Sequence, residues 1–152
     1  LRFGRPAVPV FMPENEKFEI GKALLLSEGT DVTILATGHL VWEAIQAGEE
    51  LYQHGISAEV INIHTIKPLD GEAVLNSARK TGCLVCAEEH QIAGGLGESI
   101  SSLLSREYPC PVELIGVQDE WGQSGKPVQL LEKYGLNSEN IVKAAQKVLK
   151  RK

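Results

Sequence analysis

The 152-residue chain is long enough for one domain with a substantial core. Its formal net charge of -5 and its pI of about 5.4 argue against nucleic acid or an anionic membrane as the main partner. No apolar run approaches the roughly 20 residues of a membrane-spanning helix, and no signal peptide opens the chain. Three cysteines suit a reducing compartment better than a disulfide framework. We therefore expect a cytoplasmic protein.

Residues 1–17 are interpreted as the end of a preceding domain followed by a linker. The chain begins with Leu1 rather than Met, and residues 2–6 resemble the end of a strand that enters a loop. Residues 6–17 contain three prolines and little periodicity, as in an extended surface segment. We expect a piece of a longer polypeptide, with its α/β domain at residues 18–152.

Strands and helices are predicted to alternate through the rest of the chain. Apolar, strand-like runs occur at 22–27, 31–36, 59–63, 83–87 and 112–117. Helical patterns or start signals occur at 40–54, 70–79, 96–107, 124–134 and 138–150. Gly55 lies where the first helix needs a left-handed residue, and Asp70 and Ser124 are predicted N-caps, with Pro127 in the first turn.

This alternation predicts a five-stranded, mostly parallel sheet covered by helices on both faces. Glu28, Gly29 and Thr30 form a link of hairpin length between the first two strands. We therefore expect those two strands to pair antiparallel at one edge.

Cys83 and Cys86 have the spacing of a metal-binding or redox pair. They fall within a predicted buried strand, where residues three apart point to opposite faces of the sheet. Two thiolates on opposite faces cannot share a metal. The interpretation favoured here is two small core residues.

Two segments near the fourth strand are candidates for function. Residues 94–97, Gly-Gly-Leu-Gly, follow a strand and open a helix, as phosphate-binding loops do. They lack the dinucleotide fingerprint and the Walker lysine, so a tight turn is favoured. Residues 88–90, Glu-Glu-His, lie at the carboxyl end of a strand and suit either acid–base chemistry or a hydrogen-bonded interface. The interface is favoured.

Among the remaining polar residues, His39, His54 and His64 have no partner at metal-ligand spacing. No nucleophile elbow or zinc signature occurs. Arg5 is the most notable cation at a loop, because an arginine can grip a phosphate through two hydrogen bonds. The other loop cations are Arg2, Lys67 and Lys126.

Four segments together resemble the transketolase family, in the family's order and over essentially the whole chain. They are residues 2–6 (Arg-Phe-Gly-Arg-Pro), 64–70 (His-Thr-Ile-Lys-Pro-Leu-Asp), 88–98 and 124–136, the last opening with Ser-Gly-Lys-Pro. The resemblance is to the C-terminal domain of that family. It implies a three-layer α/β/α domain whose five-stranded mixed sheet has one antiparallel edge strand.

The resemblance also implies a parent enzyme that transfers two-carbon ketol units between sugar phosphates. That parent would be a homodimer, or a dimer of split subunits, using thiamine diphosphate and a divalent metal such as Mg. The family's Gly-Asp-Gly motif and its catalytic glutamate have no counterpart here, so the isolated chain is expected to be inactive and to hold neither group. Arg5 matches the arginine that contacts the sugar phosphate. The candidate interface residues are Glu88, Glu89, His90, Gly94 and Gly95.

Two alternatives stay open. The parent could be a deoxyxylulose phosphate synthase or the beta subunit of a 2-oxoacid dehydrogenase, which share this domain. The chain could instead be a free-standing module that binds an anion at the helix N-terminus after Gly95.

Overall fold

The computed structural model describes residues 8–12 and 15–152. Within them the predicted elements all form, and strand β4 continues to Gln91, beyond its predicted end at Ala87. In chain order the elements are β1 (Leu24–Ser27), β2 (Val32–Ala36), α1 (Leu40–Gln53), β3 (Ala58–Asn62), α2 (Gly71–Thr81), β4 (Leu84–Gln91), α3 (Leu96–Glu107), β5 (Val112–Val117), α4 (Pro127–Lys133) and α5 (Ser138–Leu149).

The five strands form one mixed sheet in the order β1-β3-β2-β4-β5. Strand β1 is antiparallel to β3, and the other neighbouring pairs are parallel. The predicted mixed sheet with an antiparallel edge strand is confirmed. Because parallel strands end at a common edge, the carboxyl ends of β2, β3, β4 and β5 lie together.

The predicted pairing of β1 with β2 is wrong, since β1 pairs with β3 instead. The short link after β1 crosses the amino end of β3, where the N–H groups of Thr30 and Asp31 both donate to the carbonyl of Ser57, at 3.1 and 2.8 Å. Gly29 permits this crossing, because a Cβ there would lie 2.1 Å from the carbonyl carbon of Ala58. The link therefore carries the chain across β3 rather than folding it back as a hairpin.

Helices α1 and α5 pack on one face of the sheet, and α2 and α3 pack on the other. Cys83 belongs to the core under α1 and α5, and Cys86 to the core under α2 and α3. The prediction that they point to opposite faces is confirmed. Burial raises the pKa of both thiols, so neither supplies the thiolate that metal or redox chemistry needs.

Local signals set several helix ends. The Asp70 carboxylate accepts from the N–H of Ala73 at 3.2 Å, which confirms it as the N-cap of α2. Gly55 follows α1 with a φ of 75°, as predicted. Ser124 is not a cap: α4 begins at Pro127 with Lys126 before it, since proline needs no N–H partner at that position.

Candidate functional site

The carboxyl edge of the parallel strands carries the polar segments that the sequence singled out. After β2 the chain turns through α1 toward β3, and after β4 it turns through α3 toward β5 on the opposite face. The carboxyl ends of β2 and β4 therefore flank the point where the winding reverses. Open α/β sheets bind their ligands at such points.

The side chain of Glu88 caps the N-terminus of α3. It is 2% exposed, and its two carboxylate oxygens accept from the N–H groups of Leu96 at 2.8 Å and Gly97 at 2.9 Å. A helix N-terminus carries partial positive charge and unpaired N–H groups, which a carboxylate satisfies. The place where an anion would sit is therefore filled by the chain's own side chain.

The glycines of the turn are explained by this contact and by packing. A Cβ on Gly95 would lie 2.2 Å from the carboxylate of Glu88, and one on Gly97 would lie 2.7 Å from Leu114. Gly94 has a φ of 76° in the turn itself. The interpretation of residues 94–97 as a tight turn with close helix–strand packing is confirmed.

Glu89 and His39 join the ends of the two strands at the reversal point. The Glu89 carboxylate lies 2.7 Å from Nδ1 of His39, which follows β2. The side chains are 42% and 18% exposed, respectively, so the pair is in contact with solvent. The prediction placed both residues in loops or strand ends without joining them, because 50 residues of sequence separate them.

The other candidate histidines lie apart from this pair. His90 is exposed, and its Nδ1 lies 2.9 Å from the carbonyl of Gln91. His64 contacts Thr65 through Nδ1 at 2.9 Å and stacks on Phe18 with ring centroids 4.5 Å apart.

Gln91 has a structural role that the sequence did not indicate. Its side chain donates to the carbonyl of Glu120 at 3.0 Å and accepts from the N–H of Asp119 at 2.9 Å. These bonds hold the loop after β5 against the end of β4. Trp121 in that loop is 94% exposed, and its carbonyl accepts from the Tyr134 hydroxyl at 3.1 Å. The loop after β5 therefore exposes the indole ring of Trp121 to solvent at the carboxyl edge of the sheet.

The five candidate interface residues divide into two groups. Glu89, His90 and Gly94 are exposed, whereas Glu88 and Gly95 are buried beneath them. Arg5, the candidate phosphate ligand, lies outside the described residues, as does Arg2. Lys67 and Lys126 are both exposed loop residues.

The described residues do not fit thiamine diphosphate or its metal. The N–H groups at the start of α3 that could take a diphosphate are bonded to Glu88. Within residues 8–12 and 15–152 no three His, Cys, Asp or Glu side chains are grouped to hold a metal ion. None of the helices in these ranges is long and apolar enough to cross a membrane.

Comparison with known proteins decides the family. The family model described as "Transketolase, C-terminal domain" matches residues 21–141. The chain belongs to the transketolase C-terminal domain family. A solved split-gene transketolase, described as an inactive beta4 tetramer, superposes on this domain with a TM-score of 0.92 and 45% identity, over 95% of the chain and 48% of that structure.

Relatives of this transketolase domain include transketolase subunits and one of the alternative parents, a deoxyxylulose phosphate synthase. A 6-deoxy-6-sulfo-D-fructose transketolase subunit of a Clostridium species is 51% identical over 148 residues, 97% of this chain and 46% of the relative. A 1-deoxy-D-xylulose-5-phosphate synthase of Heliobacterium modesticaldum is 43% identical over 130 residues, 85% of this chain and 20% of the relative. The chain thus spans about half of the transketolase subunit and a fifth of the synthase.

Proposed function

We propose that the chain is the C-terminal domain of a transketolase-type enzyme and serves in assembly and positioning rather than in chemistry. In this proposal, residues 1–17 end the preceding domain and residues 18–152 form the domain itself. Thiamine diphosphate and Mg would be held by the other domains or subunit. The chain on its own would be inactive.

One observation carries this proposal. The chain matches about half of a split-gene transketolase subunit at nearly full coverage of its own length. In addition, the Glu88 carboxylate fills the position at the N-terminus of α3 where an external anion would bind. The same occupancy argues against the free-standing anion-binding module, because the N–H groups that such a module would use are already paired.

The proposed parent is a homodimer, or an assembly of split subunits, in the cytoplasm. One related protein is a transketolase subunit and a related solved structure is a beta4 tetramer, and both favour an assembly of several chains. The three cysteines are free thiols, which suits a reducing compartment. The exposed residues Glu89, His90 and Gly94 would contact the neighbouring domain, with Glu88 and Gly95 fixing the turn behind them.

The proposed reaction of the parent is transfer of a two-carbon ketol unit between sugar phosphates, with Arg5 binding the phosphate. A second candidate substrate follows from the relative whose name states 6-deoxy-6-sulfo-D-fructose. A sulfonate is also an oxyanion that an arginine can bind through two hydrogen bonds. Arg5 would suit either group.

Two measurements test the proposal. Calorimetric titration of the 152-residue chain with thiamine diphosphate and magnesium is expected to show no binding, and micromolar binding would contradict it. The complete enzyme should convert xylulose 5-phosphate and ribose 5-phosphate, or use 6-deoxy-6-sulfofructose as donor. Turnover of neither donor would instead favour the synthase or dehydrogenase parent.

A further inference from the structure

An open groove lies on the opposite side of the domain from β5, between helix α1 and the edge strand β1. Its volume is about 820 Å³. The floor is apolar and is formed by side chains such as Leu26, Ile45 and Val60. Gly48 of α1 also lines the groove, and a Cβ there would lie 3.0 Å from a methyl group of Val60, so a side chain at this position would crowd the floor.

Strand β1 gives the groove one wall with an open backbone edge. It is the last strand of the sheet, so among the described strands only β3 pairs with it. Its sequence, Leu-Leu-Leu-Ser, contains none of the charges or prolines that usually block such an edge. Among the described residues, the features that protect this edge are its short length and a bulge between Leu25 and Ser27. An extended peptide can add to such an edge by backbone hydrogen bonds.

The rim of the groove is acidic. Glu16, Glu28 and Glu49 line it, and none of the described lining residues is a lysine or an arginine. Glu28 is paired with Lys80 at 2.9 Å. Glu16 and Glu49 have no hydrogen-bond or ion-pair partner among the described residues, and both are exposed. The rim therefore favours a cationic occupant.

The charge also decides against a second copy of the chain as the occupant. Edge-to-edge pairing of two β1 strands would bring two acidic rims together, in a chain whose net charge is already -5. Like charges placed opposite each other across an interface are unfavourable. A different polypeptide with basic residues beside an apolar run fits the groove better.

We propose that this groove binds an extended segment of a partner protein that adds as a strand to the free edge of β1. Apolar side chains of the segment would cover the floor, and its lysine or arginine side chains would pair with Glu16 and Glu49. This inference does not depend on the identity of the reaction, since it rests on the groove, the open edge and the charge of the rim.

The test uses the 152-residue chain and a short capped peptide in which valine and threonine alternate between terminal lysine pairs. One control peptide has glutamates in place of the lysines, and a second has alternate backbone nitrogens methylated, so that it cannot extend a sheet. Affinity is measured by calorimetry, and hydrogen exchange of the amides of residues 24–27 reports strand addition. We expect the lysine peptide to bind at least about tenfold more tightly than either control.

Charge reversal on the chain provides the matching test. The double variant Glu16→Lys and Glu49→Lys should weaken binding of the lysine peptide by about tenfold, while Glu107→Lys on α3 leaves it unchanged. Lysine is a good helix former, so α1 should stay folded, which circular dichroism checks. Equal affinity for the lysine and glutamate peptides, no loss in the double variant, or no protection of the β1 amides would overturn the proposal.

Discussion

At the scale of single residues, Glu88 explains why the glycine turn has its sequence. A buried carboxylate is costly unless its oxygens are hydrogen-bonded, and both are, by N–H groups at the start of α3. The lack of a Cβ on Gly95 makes room for that carboxylate. The glycine-rich segment therefore serves an internal acid rather than an external phosphate.

Replacing Glu88 by Ala should lower the free energy of unfolding by about 2–3 kcal/mol, because two buried N–H groups lose their acceptor. Gly95→Ala should cost a similar amount, since the new Cβ displaces the carboxylate. In the double variant the two costs should not add, because the group that clashes with the Cβ is gone.

Urea unfolding of the two single variants and the double variant measures this coupling. Gly122→Ala is the matched control, because a Cβ at Gly122 meets nothing within 4 Å. Additive costs of the two changes would mean that Gly95 is required for a reason other than the Glu88 carboxylate.

Arg5 carries the second prediction at this scale. If it binds the sugar's terminal oxyanion in the complete enzyme, Arg5→Gln should raise KM by about tenfold or more with a smaller change in kcat, because binding in the ground and transition states is lost together. Arg5→Lys should recover part of the loss, since it restores the charge but not the paired hydrogen bonds. Arg79→Gln, an exposed change on α2, is the control. An unchanged KM in Arg5→Gln would exclude the role.

At the scale of elements, an ion-pair cluster fixes the end of α5 to the sheet. Glu113 of β5 accepts from Lys147 at 2.8 Å and also pairs with Arg151, whose guanidinium donates to the carbonyl of Val112 at 3.1 Å. Burial by itself raises the pKa of Glu113, but the two cations together outweigh it and lower the pKa below 4.5. The end of α5 is therefore held by ion pairs of Glu113 whose strength depends on pH.

The sign of that dependence follows from the direction of the shift. A carboxyl group whose pKa is lower in the folded state adds stability that is fully present above about pH 4.5 and is lost as the pH falls through the folded value. Glu113→Gln should remove this pH-dependent contribution to the free energy of unfolding. We expect it to be up to about 1 kcal/mol, because both cations are largely exposed.

Urea unfolding at pH 7 and pH 3 measures the effect as a difference between wild type and variant. The destabilisation caused by Glu113→Gln should be larger at pH 7 than at pH 3. Gln146→Ala, on the exposed face of α5, removes no titratable group and should show no such dependence. If Glu113→Gln lowers the free energy of unfolding equally at both pH values, the end of α5 is held to the sheet by packing and not by these ion pairs.

At the scale of the whole molecule, the carboxyl edge and the α1–β1 groove are two separate surfaces. The first presents Trp121, His90 and Gly94, with the loop after β5 held in place by Gln91. The second presents an open strand edge with an acidic rim. The domain thus has two surfaces with different chemistry available for neighbours.

If the carboxyl edge contacts the rest of the enzyme, Trp121→Ser should weaken assembly of the complete enzyme by about tenfold or more, since buried tryptophans dominate many interfaces. The isolated chain should keep its melting temperature, because Trp121 is 94% exposed. Sedimentation velocity over a concentration series measures assembly, with Gln146→Ala on the exposed face of α5 as control. An unchanged association would remove Trp121 from the interface.

Much of the fold was predictable because its signals are local. The alternation of apolar runs and helical spacing gave the order of the elements, and Asp70 caps α2 through a contact only three residues away. The opposite placement of Cys83 and Cys86 follows from the period of a strand. Family membership was predictable as well, because short motifs in a fixed order can be identified in the sequence without knowing how the chain packs.

What only the tertiary structure decided involves contacts between distant segments. The partner of β1 depends on the link crossing β3 at Ser57, which no local pattern encodes. Glu59 was predicted only as the first residue of a strand. In the structure its carboxylate is buried and contacts Ser77 at 3.1 Å and Lys80 at 2.9 Å, both on α2. Periodicity reports which face a residue occupies, but whether a charge there is buried depends on the donors that folding brings to it.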